Sequence, residues 1–481
     1  MARIPIVCST DQHELCAAMA QIREELEIRT DFSDEVVEEA IASAVAGPQI
    51  PPGSGGTTVA DRTDLPLVTI DPPSSMDLDQ AFAGEKTASG WRVFYAIADV
   101  AAWVAPGGPI DQESQARGFT MYSPDARAPL HPAELSEAAA SLLPDQDRQS
   151  LLWTIDLDDA GHLLDATLER AMVRSRAKLS YRDAADGIER GDDPVLASLR
   201  EIGLRREALE VERGAVSLNL ATQEVVATDA GFDLVYDESL PVEGWNAQIS
   251  LLTGIAAAKI MLDGGIGILR TLPRPRTRTI KELRLVARAL DVDWPESATY
   301  ADTVRSLDPS DPREAALIAQ SARGLRGAGY VAFDGELPEL TEHSAIAANY
   351  AHVTAPLRRL GDRYANECVL AVQAGTRPPD WVLEALPELP AMLGRARNKE
   401  GALERSTVDL VEAALLSGSV GQTYSGLITN VDEDKARVRV QLKDPAVVAY
   451  ADGVGELGDV ASVRLTDADV AKRRVRFELI D

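Results

Sequence analysis

Between residues 69 and 82 the chain reads TIDPPSSMDLDQAF, which sets Asp71, Asp77 and Asp79 within nine positions of one another. On either side the sequence is apolar. LPLVTI upstream has the β-branched texture of a strand, and FYAIADVAAWV downstream reads as a buried one. Pro72, Pro73, Ser74 and Ser75 impose an irregular loop between them. Any fold for this chain must therefore carry concentrated negative charge at the edge of its core. Clustered carboxylates repel one another unless a cation sits among them, so one reading of the loop is a metal cup. The other is an acidic surface loop, since aspartate is common throughout the chain.

A length of 481 residues exceeds one ordinary core and implies two or three domains. Residues 1–60 read as acidic helices and a linker. DQHELCAAMAQIREELEI (11–28) and SDEVVEEAIASAVA (33–46) have helical spacing, the second with a cap at Ser33, and GPQIPPGSGGTT (47–58) is linker-like in composition. Residues 61–416 mix strands and helices. LSEAAASLL (135–143) predicts a helix, and 151–175 predicts two strands joined by a D-D-A-G-H turn. Helical patterns follow, several closed by a glycine. Residues 417–481 change to short alternating segments, the texture of a small five-stranded OB barrel. The expected class is α+β.

The net charge of −29 excludes diffuse attraction to phosphate, but not a basic channel inside an acidic shell. Arginine is in fact concentrated, in LRTLPRPRTRTIKELR (269–284) and APLRRLGDR (355–363). No apolar run is long enough to span a bilayer, and MARIPIVCST lacks the pattern of a signal peptide. Three scattered cysteines suggest a reducing compartment, and no zinc-site spacing links them to the five histidines. The cytoplasm is the expected location.

Two further stretches carry chemistry. In ARGFTMYSPDARAPLHPAELSEAAASLLPD (116–145) the prolines stiffen a loop and hold Tyr122 where its face can stack on an unpaired base; the alternative is a tyrosine packed on a neighbouring strand. In YAHVTAPLRRLGDRYANE (350–367) a helix pattern starts near Pro356, which would put Arg358 and Arg359 in its first turn. Cations disfavour that end of a helix unless an anion compensates, and a phosphate bound by a guanidinium fork would do so. The protein's own carboxylates are the competing partner.

These three stretches, in this order, resemble the catalytic domain of the ribonuclease II/ribonuclease R (RNB) family. DRTDLPLVTIDPPSSMDLDQAF is similar to the family's entry strand and acidic loop, RGFTMYSPDARAPLHPAELSEAAASLLPD to its longest signature, and AHVTAPLRRLGD to its arginine segment. ALERSTVDLV (402–411) resembles a late helix bearing a glutamate and an arginine. The likeness covers roughly residues 60–416, and the tail resembles the family's S1-type OB domain. It implies a 3′→5′ exoribonuclease that hydrolyses single-stranded RNA to 5′-mononucleotides with Mg²⁺, for which Mn²⁺ could substitute. It places Asp71, Asp77 and Asp79 on acidic metal and catalytic positions and Tyr122 on a base-stacking aromatic. Arg358 falls on the arginine at the scissile region, with Arg359 beside it on the RNA, and Glu404 on a late acidic position facing the site. No membrane and no obligatory protein partner are expected.

The chain departs from the family pattern twice. A fourth aspartate normally follows the third, and here Gln80 stands in its place, expected as a weaker metal ligand through its neutral carbonyl. Family members commonly carry two cold-shock domains before the catalytic region, whereas residues 1–60 here are too short for one complete barrel with a linker and are expected to be acidic helices. Other readings are an RNB-like adaptor that binds RNA without cleaving it, and an enzyme that trims structured RNA ends. In the tail, Lys472, Arg473 and Arg474 are expected to track an RNA backbone.

Overall fold

The computed structural model describes residues 13–55, 58–216, 223–228, 231–236 and 240–480. Cys8, the first two residues of the helix expected from 11 and two residues of the expected linker lie outside these. The first strands are β1 (Val59–Asp61), β2 (Val68–Ile70), β3 (Gln80–Lys86), β4 (Gly90–Ala98), β5 (Met121–Tyr122), β6 (Arg127–Ala128), β7 (Asp147–Asp158), β8 (Leu163–Arg174) and β9 (Ala177–Leu179). β5 and β6 form a hairpin of their own. The others join one seven-stranded sheet in the order β1-β8-β7-β4-β3-β2-β9. Its middle is antiparallel, and the short β1 and β9 add as parallel edges.

Local sequence explains these elements. The predicted turn joins β7 to β8: Asp158 Oδ1 accepts from the Ala160 and His162 N–H groups, and Gly161 supplies the positive φ of 93°. Phe82, Tyr95, Trp153 and Ile155 bury the sheet's centre. The helix expected at 135–143 is instead one wide helical turn, Glu134–Ala139. Ser141 and Leu142 leave it to hydrogen-bond the acidic loop at Met76 and Leu78.

Behind the sheet, the helix Leu360–Gln373 is buried without interruption from Leu360 to Ala371. The helix Pro241–Gly264 lies close to it. At Gly254 an added Cβ would fall 2.5 Å from the Ala351 carbonyl, so only glycine admits the segment that leads to Arg358. A buried ionic triad locks helix to sheet: Arg170 of β8 bonds Asp99 at 2.9 Å, Glu367 of the helix, and the Gly55 carbonyl. Residues 47–55 therefore do not behave as a free tether. Pro51, Ser54 and Gly55 are buried, and a Cβ added at Gly55 would fall 2.7 Å from the Leu370 carbonyl. Met19 and Ile22 of the helix His13–Glu25 are likewise in the main core.

The long helix Leu389–Leu416 leads to a closed five-stranded barrel built from Thr423–Asp432, Arg437–Leu442, Val448–Asp452, Val460–Asp469 and Arg474–Leu479. Val438, Val440 and Leu442 alternate into its core. Glu412 ties helix to barrel by accepting from the Val448 N–H at 2.8 Å. Lys472, Arg473 and Arg474, expected to follow an RNA backbone, are each paired with a carboxylate: Asp469, Glu25 and Asp467.

Truncating one member of a buried ionic group strands the others. Glu367→Ala should cost about 3–5 kcal/mol in urea unfolding, and Glu367→Gln, which keeps an acceptor, less. A loss under about 1 kcal/mol for Glu367→Ala would show that the triad does not hold the helix.

Candidate active site

The acidic loop is ordered by the residue between its aspartates. In the extended run Asp77–Leu78–Asp79, alternation sends Leu78 into the core, where it is fully buried, and turns both aspartates the other way. The Leu78 N–H donates to Ser141 Oγ at 3.0 Å, and its carbonyl accepts from the Leu142 N–H at 3.0 Å. Asp79 then reaches a loop far along the chain. Its Oδ1 accepts from the Leu357 N–H at 2.7 Å and its Oδ2 from Arg358 Nε at 2.7 Å. Gln80, the first residue of β3, spans from the Thr354 carbonyl to the Tyr95 hydroxyl.

The arginines do not occupy a helical first turn. The helix begins at Leu360, with Arg359 as its extended flanking residue, and Arg358 sits in the turn before it. The turn is braced by Asp362, whose Oδ2 accepts from the Ala355 N–H at 2.8 Å and from Arg359 Nη2 at 2.7 Å. Each arginine thus has a protein carboxylate: Asp79 for Arg358, Asp362 for Arg359.

Above this turn lies a cavity of about 600 Å³. Tyr122, Arg358, Arg359 and Gln80 line it, and Asp79 is buried beneath Arg358. The Tyr122 hydroxyl is buried with no hydrogen-bond partner among the described residues, while its ring borders the open space. Glu404 does not reach the cavity. It is exposed, one turn or about 6 Å along the helix Leu389–Leu416 from Glu400, which lines the wall with Arg397. Sequence reasoning also missed Arg270, Tyr330 and His352, which line the same cavity. Arg270 stacks over Tyr330 at 4.6 Å, and the Tyr330 hydroxyl meets His352 Nδ1 at 3.0 Å. The arginine-rich 269–284 segment was a signal for Arg270; nothing in the sequence marked Tyr330.

The cavity gathers arginine although the protein is acidic, with Arg358 and Arg359 each paired to a carboxylate behind the wall. Four arginines (270, 358, 359 and 397) face two glutamates (243 and 400) on its lining. Burial, with Arg359 and Arg270 nearby, holds His352 well below its ordinary value, so it adds no charge. Burial pushes the Asp71 carboxyl up to about 6 and Asp79 up to about 7; Arg358 opposes both shifts and Asp77 reinforces them. Burial alone would lower the Arg358 guanidinium, but Asp79, Tyr122 and Asp77 raise it above its ordinary value.

The donor set suits a hard divalent cation in kind: three clustered carboxylates, of which Asp71 is raised by burial and Asp77 has a buried Oδ1 that makes no hydrogen bond. As arranged, no three acidic, histidine or cysteine side chains among the described residues converge enough to hold one. Guanidiniums stand there instead, Arg358 on Asp79 and Arg127 3.2 Å from Asp77. Arg127 was not among the expected site residues. Gln80 has both ends of its amide committed, which departs from its expected place in the metal shell.

The sequence model of the RNB domain matches residues 59–374. The chain belongs to the RNB-domain family. Residues 422–480, which hold the barrel, match the RNase II-type exonuclease C-terminal S1 domain. Ribonuclease R of Escherichia coli (strain K12) is 25% identical over an alignment covering 95% of this chain and 62% of that protein. The chain thus spans less than two thirds of that relative's length. Among solved structures, Mycoplasma genitalium RNase R in complex with ribose methylated single-stranded RNA has the same fold, with a TM-score of 0.84, 19% identity and coverage of 97% of this chain and 78% of that one. Yeast Ssd1, described as a pseudonuclease, shares it with a TM-score of 0.68 at 15% identity, covering 89% and 54%. The RNB fold therefore accompanies both ribonucleases and a protein without nuclease function. No helix of the described residues is long and apolar enough to cross a membrane.

The raised Asp71 carboxyl has a thermodynamic consequence. Its folded-state value near 6 exceeds the ordinary 3.8, so the folded state binds the proton more tightly and ionising Asp71 costs stability as pH rises from 3.8 to about 6. Asp71→Asn removes that cost. In chelator, the melting temperature of the variant relative to wild type should rise between about pH 4 and about pH 7, and Mg²⁺ should shrink the difference. A difference that does not change with pH would mean that Asp71 is not held in a desolvated site.

Proposed function

We propose that the chain is a 3′→5′ exoribonuclease that hydrolyses single-stranded RNA to 5′-mononucleotides with a divalent cation, Mg²⁺ or in its place Mn²⁺. The observation that carries this reading is Arg358, held by Asp79 at the base of an arginine- and tyrosine-lined cavity in an RNB-family chain. Such a cavity admits one strand by its unpaired end and excludes a duplex. Arg270, Arg397 and Arg359 meet successive phosphates, and Tyr122 offers its face to a base near the 3′ end, a stack worth about 1–3 kcal/mol.

Arg358 supplies charge compensation where the phosphoryl group gains charge, and Asp79 fixes its orientation in advance. Asp71 and Asp77 are the residues that would hold the cation, with Asp79 adjacent. Bound there, a divalent ion supplies an activated water and neutralises the phosphoryl oxygens. A second reading, an RNA-binding protein without hydrolysis, is favoured by Gln80 in place of an acid and by the fold shared with a pseudonuclease.

A gel of 5′-labelled oligo(A) with Mg²⁺, Mn²⁺ or chelator separates the two. The exoribonuclease reading expects a ladder that collapses to a short limit product with metal and intact RNA in chelator. Asp79→Asn should slow cleavage at least about 100-fold, since it disturbs both Arg358 and the metal site, while RNA binding survives. Intact RNA under every metal condition would leave the binding reading in possession.

A further inference from the structure

As a metal ligand, Gln80 would present its amide oxygen to a cation. Its surroundings occupy both ends of the amide instead. Nε2 donates to the Thr354 carbonyl at 2.6 Å, and Oε1 accepts from the Tyr95 hydroxyl at 2.8 Å. The sense of these bonds is fixed, because a carbonyl oxygen only accepts and the nitrogen must face Thr354. Tyr95 therefore gives its single proton to Gln80, and Ser250 Oγ, 2.8 Å from the phenol oxygen, must donate to Tyr95. Tyr95 is fully buried, and burial lifts its phenol above the ordinary value, so it remains a neutral donor. One directed chain thus runs from the helix Pro241–Gly264 through β4 and β3 to the Thr354 carbonyl.

The far end of that chain is the turn that carries Arg358. Asp79 grips the turn at Leu357 and Arg358, and Gln80 grips it at Thr354. Two successive residues of the sheet therefore hold both ends of Thr354–Arg358. We propose that Gln80 is a positioning residue for Arg358 and not a metal ligand, a role that rests on the exoribonuclease reading. An acid at this position cannot fill it. Aspartate is one methylene shorter, and an ionised carboxylate has no proton for the Thr354 carbonyl. It would set oxygen against oxygen in a half-buried site beside Asp79. The neutral amide is the side chain this network requires, which accounts for the interruption of the acidic pattern.

The test uses the full chain with Gln80→Asp, Gln80→Glu and Tyr95→Phe. Both acidic variants should lower kcat on a single-stranded oligoribonucleotide about 10- to 100-fold, the scale of a misplaced catalytic group. KM should stay within about twofold, and Mn²⁺ affinity by titration calorimetry should be unchanged. Tyr95→Phe removes one link and leaves the amide, so it should lower kcat by a smaller factor. Tighter Mn²⁺ binding or a lower metal requirement in Gln80→Asp would overturn the proposal and make position 80 a ligand. If the wild-type chain hydrolyses no RNA, the exoribonuclease reading fails, and the network is judged by unfolding alone. Gln80→Leu and Tyr95→Phe should then combine non-additively in a double-mutant cycle; strictly additive losses would dissolve the coupling.

Discussion

One carboxylate joins the two halves of the site. Asp79, at the entrance to β3, accepts from a backbone N–H and a guanidinium that lie 278 and 279 residues further along the chain. Everything around it serves to place these groups. Leu78 anchors the loop from below, Ser141 and Leu142 pin it from the side, and the uninterrupted burial of Leu360–Ala371 fixes the helix on which the arginine turn is mounted. The triad of Asp99, Arg170 and Glu367 then fastens that helix to the sheet. Pairing and hydrogen bonds at both Asp79 oxygens offset part of the cost of burying its charge, and the remainder shows as a carboxyl raised to about 7.

The same arrangement bears on how a chain with a net charge of −29 could take the anionic substrate proposed for it. What a bound strand would meet is the local field, and the cavity lining gathers four arginines, two of them paired with buried carboxylates, beside a neutral histidine. On the proposed function, the acidic exterior would repel folded or double-stranded RNA and leave a single unpaired end as the form that reaches those arginines. The barrel adds little charge of its own at the three cations 472–474, which are paired with Asp469, Glu25 and Asp467.

Much of this was legible in the sequence. Alternating segments announced the barrel, helical spacing the long helices, and the D-D-A-G-H turn the β7–β8 hairpin. The acidic loop and the arginine pair could be picked out because their residue types are costly without partners. What the sequence could not give was pairing between distant segments. Nothing local says that the Gln80 amide meets Thr354 and Tyr95, or that Arg127 faces Asp77. Glu404 and Glu400 lie one helical turn apart, and only the docking of the helix Leu389–Leu416 decides which borders the cavity. The helix start was misplaced by a few residues because Pro356 is a good first-turn residue, whereas the bond from the Ala355 N–H to Asp362 makes a tight turn there instead.

The central claim is that Arg358 is held for chemistry more than for grip. The most direct measurement pairs single-turnover cleavage with fluorescence anisotropy on one single-stranded RNA, for wild type and Arg358→Ala. The account predicts that the cleavage rate falls at least about 100-fold while Kd changes no more than about threefold, since the contact strengthens only as the phosphoryl group gains charge. If rate and affinity fall together by the same factor, Arg358 is a binding residue and the account is contradicted.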